Sequence, residues 1–273
     1  MLEQEIEIST VPRVAAGRAR GGRAIQQDDL VGLHAAEENA HLLVLADGMG
    51  GDGAGELASA GVVAVARKLW ASGSWREQPG PIFLETLCQE AHAELRRRRD
   101  RIADGALHST VVALLLRGDR ACWVHVGDSR LYRFQHGRCL GMTEDHSLVQ
   151  QRVRLGELSD AQAVGDPDQY KLLRGLGGPQ PPEVEHGCAM LRSGQAFALC
   201  SDGLWAHLST EELARLAQRP DQAAALREGI AMALERGGAA GDNVALMLVR
   251  AGQVGGWRQR GGRLWSAMFG AAG

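Results

Sequence analysis

None of the five cysteines in this 273-residue chain forms a CxxC pair with another. Zinc sites built on paired thiolates use such spacings, so no cysteine-based metal site is expected. Cys88, Cys122, Cys139, Cys188 and Cys200 are odd in number, scattered, and lie mostly inside apolar runs. They read as buried free thiols in a reducing cytosol, not as a disulfide framework. Excess positive charge is also missing: 30 basic residues stand against 33 acidic ones, a net charge of −3. Without a basic field, nucleic acid is not an expected partner. No apolar run reaches the ~18 to 20 residues that span a bilayer, so no transmembrane segment is expected. The opening "MLEQEIEISTVPRV" carries acids and no long apolar core, so no secretory signal is expected either. Internal repeats are lacking, and low-complexity sequence is confined to the last twenty or so residues. What remains, at 45% hydrophobic and 23% charged, is an expected soluble, cytoplasmic globular protein with ample chain to bury a core.

Short apolar runs mark strands: "HLLVLAD", "STVVALLLRG", "ACWVHVGD", "RLYRF", "QAFALCSDG" and "NVALMLVRA". "LLLRGDRACWV" and "YRFQHGRCL" read as hairpins, which make antiparallel sheets. Helical periodicity runs over Gly55 to Ala71 and over Pro81 to Arg101, where the run "RRRR" is read as a solvated helix face. Ser209 and Glu212 have capping-box spacing, and a last helix near Asp221 to Arg236 stops at Gly237-Gly238. Hairpins mixed with helix pairs argue for a layered antiparallel α+β domain, not a wound βαβ sheet. Residues 147–178 are polar, helical at first and loop-like around "GDPDQY", as an insertion or flap outside the core. The stretch 253–273 reads as a separate Gly/Arg/Trp-containing tail on a domain spanning 1–252.

One loop, "LADGMGGDGAGE", permits two readings. Gly48, Gly50 and Gly53 spell G-x-G-x-x-G between a strand and a helix, as in a dinucleotide-binding turn. Asp47 enters that turn, however, and would repel each phosphate charge by about 3 kcal/mol at about 6 Å and an effective dielectric near 20. No apolar strand ending in Asp or Glu follows ~20 residues later to hold a ribose. Asp47 is instead one of four acids set beside small residues at the ends of apolar strands. The others are Asp128 in "GDS", Asp202 in "SDG" and Asp242 in "GDN". Four carboxylates gathered at one sheet edge cannot all stay ionised unaided, since two charges 4 Å apart repel by ~4 kcal/mol in that dielectric. Either their pKa values rise or cations sit between them. All-oxygen ligands suit Mg²⁺ or Mn²⁺.

These residues resemble the metal-dependent protein phosphatases of type 2C, the PPM family, in its bacterial serine/threonine branch. "DGMGGDGAGELAS" is similar to that family's DGMGG signature, "GDSRLYRF" to its GDSR-x-Y motif, and "TEDHSLVQQ" to its DHS segment. "ALCSDGLW" resembles its SDGL motif, "GDNVALMLV" its closing DN motif, and "RAIQQDD" its opening R-x-x-x-[EQ]-D pattern. The motifs occur in family order from about residue 18 to 250.

The resemblance implies a four-layer α-β-β-α sandwich, two antiparallel β-sheets flanked by helix pairs, with two Mn²⁺ or Mg²⁺ ions at one edge. It assigns Asp47 to bridge both ions, the Gly48 carbonyl to bind one, and Asp202 and Asp242 to hold the other. Asp128 matches a third, weaker site. Asp28 matches the acid that holds metal-bound waters, and Arg23 the arginine that grips the substrate phosphate. The implied activity is hydrolysis of phosphoserine and phosphothreonine in proteins by a monomer that opposes a bacterial serine/threonine kinase. Three departures from the family pattern stand out. Asp52 occupies a position commonly His, Gln27 one often Glu, and "DPDQYKLLRGLG" lacks the His and Asn usual in the flap. The degenerate flap keeps a second reading open, a catalytically weak relative that binds phosphoproteins or a kinase. The proton donor to the leaving oxygen is not assigned, with His146 and His108 both in view.

Overall fold

The computed structural model describes residues 5–50, 53–99, 107–163 and 166–251. Asp52 and the tail from 253 onward lie outside these described residues. Two antiparallel sheets face one another. The first runs in the order β1 (Glu7–Val11), β2 (Val14–Ala19), β12 (Val244–Arg250), β11 (Gln195–Cys200), β8 (Arg130–Gln135), β9 (Arg138–Met142). The second runs β10 (Glu185–Met190), β7 (Arg120–Val126), β6 (Val111–Arg117), β4 (Ala40–Met49), β3 (Asp28–Ala35), with β5 (His108–Ser109) paired to the end of β4.

Period-two alternation explains why the central strands read as unbroken apolar runs. On β4, Leu43 and Leu45 point into the layer between the sheets, where they meet Val112, Leu114, Phe197, Leu199, Ala245 and Met247. The alternate residues Leu42, Val44 and Ala46 point outward, under the helices α1 (Ala54–Ser72) and α3 (Gly80–Arg99). On β12, Val244, Leu246 and Leu248 likewise face α7 (Thr210–Gln218) and α8 (Gln222–Gly237). Both faces of each central strand are therefore dry, and alternation of polarity vanishes from the sequence. The result is the expected four-layer α-β-β-α sandwich.

Local signals set the helix ends. The Ser209 hydroxyl accepts from the Glu212 amide and the Glu212 carboxylate accepts from the Ser209 amide, completing the expected capping box. Asp221 caps α8 by accepting from Ala224. In α3, Phe83, Leu84, Leu87, Cys88, Ala91 and Leu95 form the buried stripe, and Arg96 to Arg99 close the last turn at the negative end of the helix dipole. Residues 147–178 carry only α4 (Leu148–Arg154) and the one-turn α5 (Asp160–Ala163) among their described part.

The structure excludes one reading already disfavoured and corrects one expectation. Strand β4, the glycine loop and α1 do follow one another as in a dinucleotide fold, but the next long strand of that sheet, β6, pairs antiparallel to β4. No βαβ crossover exists there, which removes the dinucleotide reading. The cysteines are not all free: Cys122 on β7 and Cys188 on β10 stand directly opposite one another and are joined by a disulfide. Cys88 and Cys200 are buried thiols as expected, whereas Cys139 is exposed on β9.

Candidate metal centre

Strand ends at one edge of the sandwich deliver the acids. Asp28 opens β3 directly across from Asp47 near the end of β4, so strand register alone sets these two side by side. The β3–β4 ladder is prolonged by the Gly48 amide, which donates to the Gln27 carbonyl at 3.0 Å. Asp128 follows β7, Asp202 follows β11 at the start of the short α6 (Asp202–Trp205), and Asp242 precedes β12. Asp47, Gly48, Asp128, Asp202 and Asp242 line one cleft of about 650 Å³, with Arg23 at its rim. The four strand-end acids come together there, and Asp28 lies beneath the floor, 1% exposed.

Electrostatics mark the cluster as short of positive charge. Burial first, then the carboxylates of Asp28, Asp202, Asp128 and Asp242, push the Asp47 pKa well above the usual carboxylate range. Burial and the Asp202 charge push Asp128 up to about 8. Asp202 rises to about 6, through burial and the neighbouring Asp242. Asp28 is raised too, chiefly by burial, although the Ser201 hydroxyl donates to its Oδ2 at 2.7 Å. Its Oδ1 is buried with no hydrogen-bond partner among the described residues. An orphaned buried carboxylate oxygen is costly. Beside three carboxyl groups whose pKa values are held above their ordinary range, it fits a centre that takes hard divalent cations and their waters.

Backbone packing fixes Gly48. A Cβ there would meet the Gly55 carbonyl oxygen at 1.9 Å, and one on Gly55 would meet the Gly48 oxygen at 2.5 Å. Only two glycines let the end of β4 and the first turn of α1 cross this closely. Arg23 donates to Asp242 Oδ2 at 2.6 Å and is otherwise exposed, so its guanidinium sits at the cleft mouth.

The supporting groups went unnoticed in the sequence. The Asn243 side chain accepts from the Gln27 amide at 2.8 Å and donates to the carbonyls of Arg20 and Ile25, which ties down the loop bearing Arg23. Thr110 Oγ1 accepts from the Asp47 amide at 3.0 Å and contacts Ser129 Oγ at 2.8 Å, linking two strand ends under the cleft. Ser201 bridges Asp28 and the Ala245 amide. Asn243 and Ser201 could have been found, since they belong to the "GDN" and "SDG" motifs; Thr110 carries no signal beyond its position at the head of an apolar run.

Neither histidine considered as proton donor lines the acidic cleft. His108 borders a neighbouring groove. His146 is buried, stacks on His125 at 4.4 Å, accepts at Nδ1 from the Gly127 amide and donates from Nε2 to Glu185 at 3.1 Å. His125, His146 and Glu185 have the donor atoms of a metal site, all within 4.8 Å of one another. Their hydrogen bonds argue otherwise. A cation on His146 Nε2 would require the proton on Nδ1, where the Gly127 amide already donates. His125 Nε2 must keep its proton for the Glu144 carbonyl at 2.8 Å. The trio is a hydrogen-bonded brace.

Among known families, the model of protein phosphatase 2C matches residues 17–235. The serine/threonine protein phosphatase PstP of Mycobacterium tuberculosis is 33% identical over 251 residues, covering 88% of this chain and 45% of that protein. The serine/threonine phosphatase stp of Listeria monocytogenes is 31% identical over 193 residues, 68% of this chain and 75% of that one. The crystallised catalytic domain of PstP in complex with two manganese ions superposes with a TM-score of 0.72 at 30% identity, over 86% of this chain and 96% of the domain. The chain thus spans about half the length of the mycobacterial relative, 45%.

Proposed function

The chain belongs to the protein phosphatase 2C family, and on that premise we propose that it hydrolyses phosphoserine and phosphothreonine in proteins with the help of divalent cations. The observation that carries this reading is the buried Oδ1 of Asp28, without a hydrogen-bond partner among the described residues, under a cleft where burial and then neighbouring carboxylates suppress the ionisation of the acids. In this assignment Asp47, the Gly48 carbonyl, Asp202 and Asp242 hold two Mn²⁺ or Mg²⁺ ions, and Asp128 serves a third, weaker site. When bound, such ions supply Lewis acidity, acidifying water and neutralising charge on phosphoryl oxygens. Asp28 accepts hydrogen bonds from water at the floor of the cleft. Arg23 exchanges its pairing with Asp242 for two parallel N–H donations to the phosphate, a geometry in which guanidinium surpasses ammonium. Asn243 keeps the Arg23 loop in place, so the phosphate arrives at a preset position.

The two manganese ions in the PstP domain support the choice of metal. Residues 1–252 form the catalytic domain in this reading, with 147–178 as its flap. The physiological substrates are phosphoproteins of a serine/threonine kinase that this enzyme opposes. Hydrolysis of phosphoserine and phosphothreonine peptides should require added Mn²⁺ or Mg²⁺ and stop with EDTA. Turnover that survives EDTA, or survives Asp202→Asn in a folded protein, rejects the proposal. Intact phosphopeptide binding with no turnover in any metal would favour the binding-module reading.

A further inference from the structure

The disulfide is the one covalent tie on an edge strand that is otherwise held by a single ladder and a few side-chain ion pairs. Strand β10 ends its sheet, and among the described residues its backbone ladder runs to β7 alone, while the Glu185 side chain meets His146 and Arg174 and His186 meets Glu85 of α3. None of its six residues is fully buried. At Gly187 the Trp123 ring of β7 lies over the bare backbone, where a Cβ would collide with it at 2.2 Å. Cys122 is 5% exposed against the start of α3, whereas Cys188 faces solvent. The bond spans a sequence separation of 66, so all of residues 147–178 lies within the loop it closes.

The strand also shapes a groove next to the acidic cleft. Glu185 on β10 accepts from His146 Nε2 at 3.1 Å and lies 3.4 Å from the Arg174 guanidinium. The residues leading into β10, Pro181 to Glu183, line a groove of about 830 Å³ together with Arg174, Tyr170 and Leu172. Tyr170 and Leu172 border the acidic cleft as well. Whatever anchors β10 therefore anchors one wall of the approach to the cleft.

We propose that Cys122–Cys188 is a thiol–disulfide exchange site, entered at Cys188 by a dithiol reductant, whose state sets the mobility of β10 and of the groove wall. A thiolate of the reductant attacks Cys188 Sγ; the protein S–S bond breaks and its electron pair leaves on Cys122 Sγ. The reductant's second thiolate then attacks its own sulfur in the mixed disulfide and releases Cys188. Two electrons and the two thiol protons pass to the protein, giving two cysteine thiols and one oxidised dithiol. Exposure of Cys188 places this bond among the accessible, exchangeable class. Cys88 and Cys200 are buried, and burial pushes both thiols up from their ordinary range, which keeps them out of the exchange.

The test uses the full chain carrying Cys139→Ser, which removes the exposed free thiol. Oxidised protein should show Cys122 and Cys188 protected from iodoacetamide. Dithiothreitol without denaturant should open both to alkylation. Hydrogen exchange over residues 179–190 should then rise about tenfold while the β4–β6 ladder stays protected. Cys188→Ser, which changes an exposed position, should show the fast exchange under both conditions. Three results overturn the proposal: both thiols already free without reductant, a bond that yields only in denaturant, or exchange over 179–190 that ignores the redox state. The alkylation and exchange measurements do not rest on the phosphatase reading. If that reading also holds, reduction should change KM for phosphopeptides and leave KM for p-nitrophenyl phosphate within twofold. A protein with the redox-dependent exchange and no phosphatase activity would sink only the phosphatase reading.

Discussion

Replacing Asp47 by Asn should stabilise the protein in EDTA and destabilise it, relative to wild type, in manganese. Asp47 is surrounded by Asp28, Asp128, Asp202 and Asp242, and each raises its pKa after burial has done so. Two unit charges about 6 Å apart repel by about 3 kcal/mol at an effective dielectric near 20. Partial protonation within the cluster already relieves much of this, so deleting one charge should gain about 1–3 kcal/mol, or about 2–8 °C in melting temperature for a domain of this size. The substitution leaves the strand intact, because the Asp47 contacts to Thr110 and Ser109 run through backbone atoms. Saturating cation reverses the order. A ligand at 100 times its Kd stabilises by about 2.7 kcal/mol per site, and wild type would gain that at each site Asp47 helps form. The assay is a pair of urea or calorimetric melts for each protein at pH 8, where Asp202, pushed to about 6, is ionised. An Asp47→Asn protein less stable than wild type in EDTA would refute the repulsion argument. Equal gains in manganese would refute Asp47 as a ligand.

Arg23→Ala should lower kcat/KM by about 10–100-fold, the worth of a charge-assisted pair of about 1.5–3 kcal/mol, while melting within about 1 °C of wild type, because its pairing with Asp242 is exposed. Gly55→Ala should weaken manganese binding by about tenfold or more in calorimetry, since the new Cβ would lie 2.5 Å from the Gly48 oxygen and force that carbonyl to move. His41 should make the protein acid-sensitive. Burial lowers its pKa to about 4, and its Nε2 donates to the Pro12 carbonyl at 2.8 Å. An unfolded histidine near 6.5 takes up the proton first, so stability is full above that pH and falls as pH drops from about 6.5 to about 4, by at most about 3 kcal/mol. His41→Gln should flatten that limb in pH-dependent urea melts.

What could be read from the sequence, and what could not, follows from where the information sits. The cleft acids were legible because each combines two local signals, an apolar run that predicts a strand and a small neighbour that predicts its end. Their convergence required only that those strands end at the same edge. The amino-terminal strands were missed because their signal is carried by absence. β2 reads "VAAGRA", and its Gly17 is small because a Cβ would lie 2.7 Å from both the Glu7 oxygen and Leu226 Cδ2, so tight packing leaves no apolar bulk to recognise. Strand β10, "EHGCAM", is an edge strand whose half-buried and exposed positions alternate, but the half-buried ones are Glu185, Gly187 and Ala189 and the exposed ones include Cys188 and Met190, so its polarity shows no alternation to detect. The disulfide fell between these cases. Its partners are 66 residues apart, and nothing in that spacing favours one pairing over another. Only the register that sets β10 against β7 brings Cys188 opposite Cys122, and that register belongs to the sheet, not to either segment. The same holds for Asp28 and Asp47: motif spacing names both acids, but the pairing of β3 with β4 is what makes them neighbours. Chemistry that depends on residue type alone was therefore readable in advance, while chemistry that depends on cross-strand register had to wait for the fold.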